Sequence, residues 1–168
     1  TLTDLSGNGN TATLVNGPAW DTGYFGNGLD FDGVNDYGTI ADDSSLKFGD
    51  DSFSVSFWMK SSQTTAVNAY IIHKAEDDAG AGDAWWGASI DSSNKLHFQV
   101  DDGTPSASDV VSSVDVNDDS WHHIVLVYTK STSTTVFVDG IPSTTSHSDA
   151  LDTDSTSVIE IGAPTGRG

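Results

Sequence analysis

The octapeptide FSVSFWMK at residues 53–60 alternates strictly. Phe53, Val55, Phe57 and Met59 fall on one face of an extended chain, and Ser54, Ser56, Trp58 and Lys60 fall on the other. Successive strand side chains point to opposite faces, so this pattern makes a half-buried β-strand and defeats an amphipathic helix. KLHFQV at 95–100 repeats it, with Leu96, Phe98 and Val100 on one side. YIIHK, TTVFVDG and SVIEIG are short β-branched or aromatic runs. SGNGN, GPAWDTG, DDGTPSAS, DVNDD and DSTS between the runs are turn chemistry. No window shows a helical stripe, and DDSSLKF at 42–48 offers one helical turn at most. The pattern predicts strands near 11–14, 28–32, 37–40, 52–60, 69–74, 85–91, 95–100, 109–114, 121–128, 134–139 and 157–162. Many short strands between such turns predict an all-β, two-sheet antiparallel sandwich.

The 168 residues show no internal repeat or boundary and read as one domain, 1–168. There is no cysteine, so disulfides and thiolate chemistry are excluded. No apolar run approaches the roughly 20 residues of a membrane span. The absence of a signal peptide makes the sequence a mature form or an excised piece. Six Lys+Arg face 25 Asp+Glu, a formal charge of −19, and every acid except Glu76 and Glu160 is aspartate. Phosphate binding needs a basic patch, so nucleic acid is a poor partner, and an anionic membrane is equally poor. Dispersed acid of this kind suits a solvated surface in saline water, or loops that hold Ca²⁺ through oxygen ligands.

Trp121-His122-His123 heads the run SWHHIVLVYTKSTSTTVFVDG at 120–140. Adjacent strand residues diverge, so His122 and His123 cannot ligate one ion; zinc would need i,i+2 spacing on a strand. The motif therefore predicts structural histidines at the start of a hairpin that ends at Asp139-Gly140. Calcium has a better candidate in FDGVNDY, where Asp32, Asn35 and Asp36 share a tight loop, with Asp4 on the same rim. The competing reading is that these side chains only cap turn amides. DDAGAGDAWWGASI carries an acidic loop into Trp85-Trp86, and with Asp83 these residues make a candidate sugar platform. Strand geometry sends one of the two indoles inward. Trp20 and Trp58 carry the same choice between core and ligand. No G-x-S-x-G elbow is present.

In order along the chain, five segments resemble motifs of one family. DLSGNGNTATLVNGPAW, FGNGLDFDGVNDYGTI, SFSVSFWMK, WHHIVLVYTKSTSTTVFVDG and VIEIGAP are similar to the laminin-G-like, concanavalin-A-like jelly rolls. The resemblance covers nearly the whole chain. It implies that jelly-roll fold, shortened by the family's usual first and last strands, so that sheet edges are open to other domains or copies. The same family includes glycosidases with a Glu-x-Asp-x-Glu run, which is absent here. The combined expectation is a non-catalytic, lectin-like carbohydrate-binding module assisted by calcium. It would recognise a glycan or polysaccharide as part of a secreted or surface protein, extracellular or on a virion. An adhesive, protein-contacting module is the alternative, and a glycoside hydrolase is disfavoured.

Overall fold

The computed structural model describes residues 1–63, 69–75, 83–104 and 107–163. Thirteen strands are present among them: β1 (Thr13–Val15), β2 (Ala19–Thr22), β3 (Asn27–Asp30), β4 (Tyr37–Ile40), β5 (Phe53–Lys60), β6 (Ala69–Lys74), β7 (Ala84–Ile90), β8 (Lys95–Asp102), β9 (Ala107–Asp115), β10 (Trp121–Thr129), β11 (Ser133–Val138), β12 (Ile141–Ser146) and β13 (Ile159–Ile161). A single 3₁₀ turn, Ser44–Leu46, is capped by the Asp43 carboxylate. It is the one helical turn that DDSSLKF allows.

Two antiparallel sheets face each other. The larger has the order β1-β4-β13-β6-β7-β8-β9 and the smaller β12-β11-β10-β5; β2 and β3 form a separate ribbon. The expected sandwich is therefore present, with two differences. Ala19–Thr22 is a strand although GPAWDTG reads as turn; all four residues are exposed, so no burial pattern marks it. Ile141–Ser146 is also a strand. Val138 pairs with Ile141, leaving Asp139-Gly140 as a two-residue loop, and both loop residues have positive φ, 52° and 82°. That turn chemistry sends the chain straight back as a hairpin.

The core is made by the inward residues of both sheets. Trp86, Leu96, Phe98 and Val100 come from the larger, Ile124, Leu126, Tyr128, Val136 and Val138 from the smaller. Each such large side chain contributes about 1.5–3 kcal/mol by leaving water. Tyr128 also fastens the following loop, because its hydroxyl oxygen accepts the Leu151 amide at 2.6 Å.

One pair of sheet edges closes on itself. The Ser113 amide of β9 donates to Ser143 Oγ of β12 at 2.9 Å, and Thr145 Oγ1 donates to the Asp109 carbonyl at 2.9 Å. At the other ends β1 and β5 each pair on one side only, among the described residues. On β5 the apolar face is incompletely covered: Phe53 and Met59 are buried, whereas Val55 and Phe57 are only half-buried.

Candidate functional site

The outward face of the smaller sheet carries an aromatic cluster. Register places His123 of β10 opposite Trp58 of β5, and Trp121 opposite Lys60. The β2–β3 ribbon folds its tip, Gly23-Tyr24-Phe25-Gly26, over this corner. The Gly23 amide donates to the Gly26 carbonyl at 2.9 Å, and Gly26 takes φ +65°. A Cβ on Gly23 would lie 3.0 Å from the Asn27–Gly28 backbone, so the tip closes only around glycine.

The tip stacks Tyr24 on Trp58 with centroids 3.7 Å apart and planes at 9°. Phe25 stands edge-on to Tyr24 at 4.7 Å and to Trp58 at 5.9 Å. Trp121 lies 6.3 Å from Tyr24, and the His123 ring lies 5.0 Å from Trp58. His123 Nε2 is 2.9 Å from Ser56 Oγ, which adds a polar pair beside the rings. Despite these contacts Phe25 remains 76% exposed, Tyr24 47% and Trp58 36%. An open aromatic face next to hydroxyl and imidazole groups suits a ligand with an apolar face and a hydroxylated rim.

The residues expected to form a sugar platform separate. Trp86 is 1% exposed and packs among Phe48 and Phe53 in the core, which corrects its expected ligand role. Its neighbour Trp85 is half-buried on the outward side of the larger sheet, opposite Asp101. Asp83 is exposed just before β7. Residues 76–82, which include Glu76 and most of the acidic loop leading to Trp85, lie outside the described residues.

The expected calcium ligands are engaged mainly in their own turns. The Asp4 carboxylate accepts the Ser6 amide at 2.7 Å, the Ser6 hydroxyl at 2.8 Å and the Asn10 amide at 2.9 Å. Asp32 accepts the Val34 and Asn35 amides at 2.8 and 3.2 Å. The Ser6 amide holds the Asp4 carboxyl, and the Val34 amide the Asp32 carboxyl, below the ordinary carboxylate range. The carbonyl of Asn35 accepts the Asn16 amide group at 2.8 Å, and Asp36 is buried. Among the described residues, no group of three or more His, Asp and Glu side chains converges as a metal cage.

His122 points inward and is clamped between two carboxylates. Nδ1 is 2.8 Å from Asp139 Oδ2, and Nε2 is 3.1 Å from Asp118 Oδ1. Burial opposes protonation, yet Asp139 and Asp118 outweigh it and raise the imidazole pKa. Asp139 also accepts the His123 amide at 2.8 Å. The histidine pair thus diverges as strand geometry requires, His122 into a structural clamp and His123 to the aromatic surface. Tyr24 and Phe25 carried no sequence signal of their own; the glycines on both sides were the only trace of an exposed tip.

A family model described as the concanavalin A-like lectin/glucanases superfamily matches residues 32–168. The binding domain of Paraclostridial Mosquitocidal Protein 1 shares the fold with a TM-score of 0.82 at 16% identity, over 98% of this chain and 42% of that one. A structure of botulinum neurotoxin type C, whose cell entry depends on interaction with two ganglioside molecules, gives 0.72 at 15% identity over 99% of this chain and 41% of that one. Domains LG4-5 of the mouse laminin alpha1 chain give 0.59 at 17% identity, over 76% of this chain and 32% of that one. The chain therefore spans less than half of each of these structures, and the likeness is one of fold. No curated protein matches by sequence.

Proposed function

We propose that this chain, which belongs to the concanavalin A-like lectin/glucanases superfamily, is a non-catalytic carbohydrate-binding module whose recognition surface is the Tyr24–Phe25–Trp58–Trp121–His123 corner. The observation that carries the reading is the exposure of Tyr24 and Phe25 at the tip of a ribbon that already spends three glycines on its shape. A folded chain leaves large rings in water mostly where a partner covers them. Sugars offer apolar C–H faces to such rings and hydroxyls to groups like His123 and Ser56. The mosquitocidal-protein structure is a binding domain, and the type C neurotoxin depends on ganglioside interaction for cell entry, which fits a module that works outside a cell or on a surface. Among the described residues no helix is long and apolar enough to cross a membrane.

Titration calorimetry against a panel of oligosaccharides tests the site. Tyr24→Ala with Trp58→Ala abolishes binding while the unfolding midpoint shifts little; Trp85→Ala on the other sheet leaves binding intact. Binding that survives the first pair and is lost in the second moves the site to Trp85 and Asp83. Calcium assistance at Asp32, Asn35 and Asp36, with Asp4, belongs to the same proposal as a separable part. Titrations repeated in chelator keep their affinity if that part is wrong. The unpaired edge of β5 favours a second reading, addition of a strand from a protein partner.

A further inference from the structure

Every lysine among the described residues is committed to an aspartate. Lys47 and Lys74 meet Asp42 at 3.1 and 2.8 Å, Lys60 meets Asp119 at 3.1 Å, Lys95 meets Asp115 at 2.6 Å and Lys130 meets Asp50 at 2.7 Å. The one other basic side chain of the sequence, Arg167, lies outside the described residues. The histidines offer no substitute. His97 is held by Asp91 and Asp109, His122 by Asp118 and Asp139, and His73 lies 3.3 Å from Glu160. His123 faces Ser56, and His147 faces the Asp149 carbonyl.

Recognition of a carboxylate, sulfate or phosphate uses a cation whose donors are open to it. Here the lysine nearest the aromatic corner in register is Lys60, two residues beyond Trp58 on the same outward face, and the Asp119 carboxylate at 3.1 Å compensates its charge. The surrounding field has one sign, since the chain carries −19. A field of that sign lowers the local concentration of anions and slows their encounter, more so at low salt.

Resting on the glycan reading above, we infer that the aromatic corner takes an uncharged glycan and rejects the sialylated, sulfated or uronic-acid-bearing form of the same sugar. The ring faces supply affinity, the Ser56–His123 pair supplies hydroxyl contacts, and the absence of an uncompensated lysine among the described residues sets the selectivity.

The experiment compares matched pairs on the intact chain: an N-glycan with and without terminal sialic acids, and a galactan with and without sulfate esters. At about 20 mM ionic strength the neutral member of each pair binds at least about tenfold more tightly, and the gap narrows as added salt screens the field. In Asp119→Asn, which releases Lys60, the anionic members gain about threefold while the neutral members are unchanged. Anionic members that bind as tightly as their neutral partners, or an Asp119→Asn variant that leaves the anionic affinities where they were, overturn the charge selectivity alone. Failure of every member of both pairs to bind overturns the glycan reading itself, and this inference with it.

Discussion

Replacing Lys74 by methionine removes an ammonium that the core has fully enclosed. Lys74 ends β6, points inward beside Trp86 and is 1% exposed. Its Nζ donates to Asp42 at 2.8 Å and to the carbonyls of Ser155 and Ser157 at 2.9 Å each. One side chain thereby ties a central strand to two loops far apart in sequence. Methionine keeps most of the apolar stem, so the loss is electrostatic rather than a cavity. The two carbonyls lose a charged donor, and each buried group left unsatisfied costs about 1–3 kcal/mol. Asp42 keeps Lys47 as a second partner at 3.1 Å, which spares part of the penalty usual for breaking a buried ion pair, about 3–5 kcal/mol. The expected loss is about 3 kcal/mol, a large share of the roughly 5–15 kcal/mol that holds a domain together. For a chain of this size that lowers the melting temperature by about 6–12 °C. Urea unfolding followed by tryptophan fluorescence reads the loss as a shifted midpoint at unchanged slope. Lys74→Ala loses more, because it adds a void to the missing donors. A Lys74→Met variant within about 1 kcal/mol of the parent would show that water or a repacked loop satisfies the two carbonyls, and the reasoning fails.

The remaining expectations concern the His122 clamp and one glycine. Because folding raises the His122 pKa, its contribution to stability is complete below the ordinary imidazole range and fades as pH climbs through the raised value. The His122 imidazole holds the Asp118 carboxyl below its ordinary range, and the His123 amide, against the opposing effect of burial, does the same for Asp139; their contribution fades as pH falls through those lowered values. Unfolding midpoints therefore drop as pH rises from the ordinary imidazole range through the raised His122 value in the parent and drop less in His122→Asn; parallel profiles would remove the clamp from the explanation. Gly162 takes φ +71°, and a Cβ there would lie 2.7 Å from the Phe31 ring. Gly162→Ala accordingly costs about 1–3 kcal/mol in chemical denaturation, and a loss below about 0.5 kcal/mol would show that the ring moves aside.

The period of two and the short β-branched runs carried most of the architecture. FSVSFWMK forms the strand at 53–60, KLHFQV lies in the strand at 95–102 and YIIHK in the strand at 69–74, and the hairpin from Trp121 to Val138 has the expected form. Features that depend on pairing were not legible. β12 is two-thirds serine and threonine and holds Pro142, which an edge strand tolerates because its missing N–H need not reach a partner. Lys74 ends an apolar run, where a lysine reads as the return to solvent; the distant Asp42 carboxylate and the carbonyls of Ser155 and Ser157 turn it inward. Trp85 and Trp86 differ by one residue in register, and register alone sends Trp86 to the core. The aspartates were ambiguous for a related reason. A carboxylate that caps its own turn, as Asp4 and Asp32 do, has the same spacing in sequence as one that waits for a cation, so sequence alone does not separate the two roles.

Alternation also separates the proposed recognition face from the core in the smaller sheet. Ile124, Leu126 and Tyr128 are wholly buried, while His123, Val125 and Val127 between them stay half-exposed on the other face. On β5, Trp58 lies outward between Phe57 and Met59, whose side chains face the core. A change at Trp58 or Lys60 therefore reaches solvent, ring and ion pair without displacing a core atom. The β2–β3 ribbon adds a second independence, since none of its strand residues is buried and its tip meets the sheet through the Tyr24 and Phe25 rings. Under the proposed glycan reading Tyr24 and Phe25 can vary at little cost to the sandwich beneath, whereas Gly23 between them and the strand cannot. The same argument bars Trp86 from such variation, because truncating a wholly buried indole costs about 3–5 kcal/mol whatever the ligand demands.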